Sequence, residues 1–141
     1  MGTQQLLLIV LSVVIVGASV ATGIMIFNNK IKSSNREAII QDMYNISSLA
    51  IAYYKIPETQ GGGGGSWDSD RFMQYSGFPL TRNGKRMVTN NGQIRVVELA
   101  NGRLRIVGFG NELGFDEDKA IRARLVLFGR EIEGSRFKIL N

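Results

Sequence analysis

LLLIVLSVVIVGASVATGIMIF, Leu6 to Phe27, is the stretch on which the fold turns. Its 22 residues are interrupted only by Ser12, Ser19, Thr22 and the glycines at 17 and 23. As an α-helix it extends about 33 Å, close to the roughly 30 Å of hydrocarbon in a bilayer. From Met1 to Asn29 no side chain is charged. The run is too long and too uniformly apolar for a signal-peptide core, and it lacks a basic n-region and an A-x-A cleavage site on its far side. It reads as a retained, membrane-length helix. A chain of 141 residues is too small to surround such a helix as a buried core element.

Beyond Phe27 the helix has no stop. Asn28 to Tyr54 contains neither proline nor glycine. Ile39, Met43, Ile46, Ala50 and Tyr53 follow spacings of four, three, four and three, one stripe of a helix. Arg36, Glu37, Gln41, Asp42, Asn45 and Ser48 occupy the other faces. One continuous helix is expected, with a local break at Asn28 and Asn29, the alternative being a second helix starting at Ser34 or Asn35. From Leu6 to Tyr54 it would measure about 74 Å. Pro57 closes it, because the residue before a proline avoids helical ψ.

Gly61 to Gly65 are five consecutive glycines. Ordering such a run costs the full backbone entropy, so it reads as a flexible crossing loop. Trp67, Phe72, Tyr75, Phe78 and Pro79 follow, too aromatic for a disordered spacer, and are expected to pack back on the helix stripe.

From Gly84 the pattern changes to period two. Asn83-Gly84, Asn91-Gly92 and Asn101-Gly102 are hairpin dipeptides. A two-residue loop at Asn101-Gly102 would set Leu99 opposite Leu104, Glu98 opposite Arg105 and Val97 opposite Ile106, with the apolar four on one face. Further strands are expected at Arg86–Thr89, Ala120–Phe128 and Arg136–Leu140, although Asp116-Glu117-Asp118-Lys119 could open a helix instead. The expected fold class is α+β: one long N-terminal helix, apolar then amphipathic, on a small antiparallel sheet of four or five strands. Four segments result: 1–29 apolar, 30–56 amphipathic, 57–82 a glycine-rich and aromatic connection, and 83–141 the sheet.

Cysteine and histidine are both absent. That removes disulfides, thiolate metal sites, the usual general base and the commonest zinc ligand. Asp68-Ser69-Asp70 and Asp116-Glu117-Asp118 lack the spacing of a calcium loop and read as solvated acidic loops. No nucleophile stands beside either, so no enzyme, no cofactor, no metal and no small-molecule substrate is expected.

A long helix with an apolar first half and an amphipathic second half, then a glycine-rich loop and a β-meander, resembles the type IV pilin and pseudopilin family. The likeness covers the whole chain in architecture and is concentrated in Gly2 to Phe27 and in Ser34-Asn35-Arg36-Glu37-Ala38 through Tyr54. It implies a leader ending at Gly2, cleaved by a prepilin peptidase, with Thr3 as the mature N-terminus. It further implies a helical homopolymer, built by a pilus assembly machinery from subunits waiting in the cytoplasmic membrane and ending as an extracellular filament on the cell surface. Leu6, Leu7, Leu11, Val14, Gly17, Ala18, Ala21, Gly23 and Phe27 would pack in the filament core, and Ile39, Met43, Ile46, Ala50 and Tyr53 on the sheet. The chain differs from the family where most members carry a glutamate, here Leu7. Lys30 and Lys32, just past the apolar run, favour a cytoplasmic head by the positive-inside rule, whereas a pilin head faces outward. The competing readings are a single-pass anchored binding module and a minor pseudopilin of a type II secretion system.

Within the apolar run, Gly17-x-x-x-Ala21, with Ala18 and Gly23 nearby, is a small-xxx-small pattern that lets helices approach closely. The net charge of +5 comes from 17 basic and 12 acidic residues. Arg103/Arg105 and Arg122/Arg124 alternate and so share sheet faces. They read as a solubilising outer face, or as ion-pair partners of Glu112, Glu131 or Glu133, in preference to a nucleic-acid site. Phe27, Tyr44, Tyr53 and Tyr54 are accounted for by a membrane-edge belt and a helix–sheet core.

Overall fold

The computed structural model describes residues 2–100, 102–114, 119–128 and 131–140, with 131–137 described by backbone alone. Helix α1 runs without interruption over Gly2–Lys55, 54 residues and about 81 Å. The break expected at Asn28 and Asn29 does not occur, and Ser34 and Asn35 lie inside the helix rather than at a start. Nothing in the sequence between Gly23 and Pro57 removes an amide or relaxes the backbone, so the helical bonds continue to Ile56 N on Ala52 O (3.1 Å).

The five glycines are a helix cap and not a spacer. After a short 3-10 turn, Glu58–Gln60, the chain folds back under the end of α1. The amides of Gly63, Gly65 and Gly64 donate to the carbonyls of Tyr53 (2.8 Å), Tyr54 (2.9 Å) and Ile56 (2.9 Å). Those carbonyls have no partner further along the helix, so the turn satisfies acceptors that a helix end otherwise leaves open. Glycine is required for two reasons. Gly61, Gly64 and Gly65 have φ of 84°, 55° and 90°, in the left-handed region. A Cβ at Gly62 would strike the Ile56 backbone, and one at Gly63 would strike the Ser66 carbonyl and the Tyr53 ring.

The aromatic connection carries a short helix, α2 (Ser69–Tyr75), where the sequence suggested only loop. Asp68 is its N-cap, accepting from the amides of Asp70 (3.0 Å) and Arg71 (3.1 Å). The acidic cluster at 68–70 is therefore a helix start; the one at 116–118, with its alternative helix, lies outside the described residues. From α2, Phe72 and Met73 are buried, and Phe72 meets Tyr53 edge-on at 5.6 Å. Trp67 lies on Tyr54 with ring centres 4.7 Å apart, and its indole N–H donates to the carbonyl of Gly102 (3.0 Å).

Five strands follow in sequence order as an antiparallel meander: β1 Met87–Thr89, β2 Gly92–Leu99, β3 Arg103–Leu113, β4 Ala120–Phe128 and β5 Glu131–Ile139. Strand β4 has the expected bounds, β1 starts one residue later than expected, and β5 starts five residues earlier. Two hairpins differ from their expected register. Thr89 pairs with Gly92, so the first two-residue loop is Asn90-Asn91 and Gly92 already belongs to β2. Leu99 pairs with Arg103, leaving three residues in the next connection, and Gly102 sits at φ 64°. A three-residue loop with its last residue left-handed is a standard hairpin closure. It shifts the pairing by one: Val96 faces Ile106 and Val97 faces Arg105.

That shift decides which side chains form the core. Ile94, Val96, Leu104, Ile106, Ile121, Ala123, Leu125 and Leu127 are buried on the inner face, while Val97 and Leu99 lie on the outer one. From the helix, Ile39, Met43, Ile46, Ser47, Ala50 and Tyr53 are buried. The approach is close because the inner face is bare under the helix. Gly108, paired with Ile94 and Ala123, would with a Cβ stand 2.6 Å from Ile39 Cγ2 and 2.7 Å from Met43 Sδ.

Candidate functional site

The two halves of α1 live in different surroundings. Side-chain hydrogen bonds to the sheet begin at Asn35, whose Nδ2 donates to Asn91 O (3.0 Å) and whose Oδ1 accepts from the Glu112 amide (3.3 Å). Two turns further, Asp42 accepts from Asn91 Nδ2 (3.0 Å). These bonds clamp α1 to the β1–β2 turn and to the end of β3. No sequence pattern announced Asn35 in this role; the signal available was its place at the head of the buried stripe.

From Gly2 to Lys30 every helix residue is exposed. Leu6, Leu7, Leu11, Val14 and Phe27 are between 50% and 67% exposed, and Gly17, Ala18, Ala21 and Gly23 are exposed on a stretch with no neighbour. Gly2 and Thr3 lie in the first turn, also exposed. A Cβ at Gly17 or Gly23 would meet no atom within 4 Å. The single chain thus brings the candidate filament-core residues together only along one rod. Fifteen large apolar side chains between Leu6 and Phe27 are left in this state. At ~1 kcal/mol for each half-covered side chain, burying them is worth roughly 15–20 kcal/mol. That equals or exceeds the net stability of a whole domain. The helix is long and apolar enough to cross a membrane, with none of its apolar window buried inside the chain.

The three hydroxyls of the run Leu6 to Phe27 are answered within it. Ser12 donates to Leu8 O (2.7 Å), Ser19 to Ile15 O (2.8 Å) and Thr22 to Ala18 O (2.9 Å). Each hydroxyl uses the carbonyl one turn back, so the run presents no unpaired donor to an apolar medium. From Gly17 to Gly23 only Val20 is large, and the rod narrows there on every side. Where the bare half meets the head, Phe27, Lys30 and Ile31 face Asn91 and Glu112 across an open groove. Tyr44 is 41% exposed and Phe27 65%, so neither belongs to the core that holds Tyr53.

Among the described residues, no three His, Cys, Asp or Glu side chains converge where a metal could sit. A close ion pair joins Arg71 to Asp68 at 3.6 Å, on the surface. Glu112 is tied by its backbone to the helix, and the side chains of Glu131 and Glu133 lie outside the described set. Set against family models, against curated proteins and against solved structures, the chain matches none.

Proposed function

We propose that this chain is the structural subunit of a type IV pilus-like filament, held in the cytoplasmic membrane by Leu6–Phe27 before assembly and polymerised on the cell surface through the same helices. The observation that carries the reading is the division of α1: one unbroken rod, clamped to a small head from Asn35 onward and bare, apolar and internally hydrogen-bonded before it. A lipid bilayer and a bundle of like helices are two media that suit the same surface. Transfer from one to the other exposes no apolar area to water, provided the helices pack as the rod leaves the lipid. The narrow stretch Gly17–Gly23 is where neighbouring rods would approach most closely. In a head-to-tail helical array each subunit uses two different faces, which suits a waist thin all round better than a single stripe. The function is structural, without catalysis or cofactor, and its partners are further copies, the membrane, an assembly machinery and a prepilin peptidase acting at Gly2–Thr3.

The experiment is electron cryo-microscopy of material sheared from cells, with mass spectrometry of its subunit. Thin filaments built mainly of this chain are expected, and Gly17→Leu or Ala21→Leu should abolish them while the head stays folded. Normal filaments from both variants would refute the packing. One observation favours a second reading: Lys30 and Lys32 directly follow the apolar run. A chain found only in the membrane fraction, its head protected from protease in intact cells, is the anchored cytoplasmic module; a short, sparse filament is the minor-pseudopilin outcome.

A further inference from the structure

The strand register gathers the arginines of the sheet on the face turned away from α1. Across the strands, Arg95, Val107, Arg124 and Lys138 form one row, and Val97, Arg105 and Val126 the next, continued by the backbone position of Arg136. Leu99, Arg103 and Phe128 make a third, and Gln93, Phe109 and Arg122 a fourth. Arginine and apolar side chains alternate like a chequerboard. Six cations, from Arg95, Arg103, Arg105, Arg122, Arg124 and Lys138, stand on about 14 by 20 Å of sheet. No described carboxylate side chain shares the face. Glu98 pairs with Leu104 on the opposite side, and the nearest acidic register position, Glu131 beside Phe128, is at the corner.

Among the described residues no carboxylate neutralises this face. Arg124 stands directly opposite Lys138, a like-charge pair that destabilises a sheet. The Nε–H groups of Arg105 and Arg124 are buried with no acceptor. A purely solubilising surface would spread its charges and mix their signs. Aromatic rings are built in among the cations: the Arg86 and Arg122 guanidinium carbons lie 4.6 and 5.6 Å from the centre of Phe109, and that of Arg103 lies 5.7 Å from Phe128.

We propose that this sheet face binds single-stranded nucleic acid, its guanidinium groups on the phosphates and its Phe109 and Phe128 ledges under the bases. Three considerations select that occupant. Cations two residues apart on one strand are about 6.7 Å apart, the scale of successive phosphates on an extended strand. The loop that carries Thr81, Asn83, Lys85 and Arg86 rims the face beside Gln93 and Arg95, and flat aromatic and guanidinium surfaces take unstacked bases. A second copy packed face to face would bring like charge onto like charge.

The membrane that holds α1 is excluded by direction. Gly102 lies by Trp67 and Tyr54 at one end of the head, and Gly110 lies by Asn35 at the other. Eight residues of β3 therefore run about 26 Å beside about 28 Å of helix. Strands and helix are nearly aligned, so the basic face looks sideways from an upright helix and not down at its bilayer. The proposal does not depend on filament assembly.

The test is fluorescence anisotropy of a labelled oligothymidylate of about 15 nucleotides with the full chain in a neutral detergent, over a series of salt concentrations. Binding at low salt is expected, with log K falling against log salt at a slope of about −3, as for four or five phosphates. Arg105→Gln with Arg124→Gln should weaken binding at least tenfold and flatten the slope by about one unit. Lys30→Gln with Lys32→Gln removes the same charge elsewhere and should change little. The unfolding midpoint of each variant checks that the head is intact. Absence of binding, an equal loss from the lysine pair, or tighter binding of a duplex of the same length overturns the proposal. So does displacement of the oligonucleotide by dispersed short-chain phosphatidylglycerol at equal phosphate, which would assign the face to lipid.

Discussion

Replacing Gly63 by alanine, with Gly65→Ala beside it, tests whether the glycine run caps α1. At Gly65 an added Cβ meets no atom within 4 Å, so the cost is the left-handed backbone alone. That is ~1–2 kcal/mol, offset by ~0.4–1 kcal/mol because alanine restricts the unfolded chain. The net loss should be ~0.5–1 kcal/mol. At Gly63 the Cβ meets the Ser66 carbonyl and stands 2.8 Å from Tyr53 Cε1. The carbonyl is main chain, so no rotamer change relieves it and the turn must open. The bonds from Gly63, Gly64 and Gly65 to the end of α1 go with it, and at ~1 kcal/mol each the loss is ~3 kcal/mol. A flexible spacer predicts no loss at either site, because alanine then restricts the folded and the unfolded chain alike. The assay is urea unfolding of the full chain in detergent micelles, followed by the fluorescence of Trp67, the single tryptophan, which packs beside the cap. The midpoint for Gly63→Ala should fall by about 1–3 M. Unchanged or raised midpoints for both variants would refute the cap.

Gly108→Ala should destabilise the head by ~1–3 kcal/mol, since Ile39 Cγ2 lies 2.6 Å from the new carbon and is stiff at its branch; the same urea titration reads it, and a neutral result would mean the helix can shift off the sheet. Asp68→Ala removes the cap of α2 and should cost ~1 kcal/mol, checked by the unfolding midpoint and by a faster amide exchange at Asp70 and Arg71. Burial, and after it the Asp68 carboxylate, pushes the Tyr53 phenol above its ordinary 10. The folded chain therefore keeps that proton to higher pH than the unfolded one. The associated stability is complete below pH 10 and declines as pH rises beyond it. Tyr53→Phe should flatten the alkaline part of the stability profile, and an unchanged profile would count against that assignment.

The helix was legible because its signals are long: twenty-nine residues without charge, then a stripe at 39, 43, 46, 50 and 53 that coincides with the buried residues. Strand β4 was legible because Ile121, Ala123, Leu125 and Leu127 share one parity and Arg122 and Arg124 the other. Strand β2 was not. Ile94 and Val96 have one parity and Val97 and Leu99 the other, so alternation alone allows either face inward. The choice is made by the loop, whose left-handed residue is Gly102, and by α1, which needs Ile94 beside the flat Gly108. Helix α2 spans seven residues, too few for a periodicity, although Asp68 before Phe72 and Met73 carried a capping signal. A run of identical glycines has no internal pattern, and its bonds to Tyr53, Tyr54 and Ile56 are visible only in three dimensions. The basic face escaped notice as a whole because its members come from three described strands and β5, and no local window contains them.

The order of the strands has a consequence for how the chain is made. Every strand hydrogen-bonds to the one synthesised just before it, and the sheet needs no crossover. Its cover, α1, precedes every strand in the chain and so leaves the ribosome before them. Each hairpin can therefore close as soon as it emerges and settle onto a helix already present, so the inner face need never wait uncovered. Were the same helix at the other end of the chain, five strands with an apolar inner face would stand without cover until the last residues arrived, open to pairing with other nascent chains.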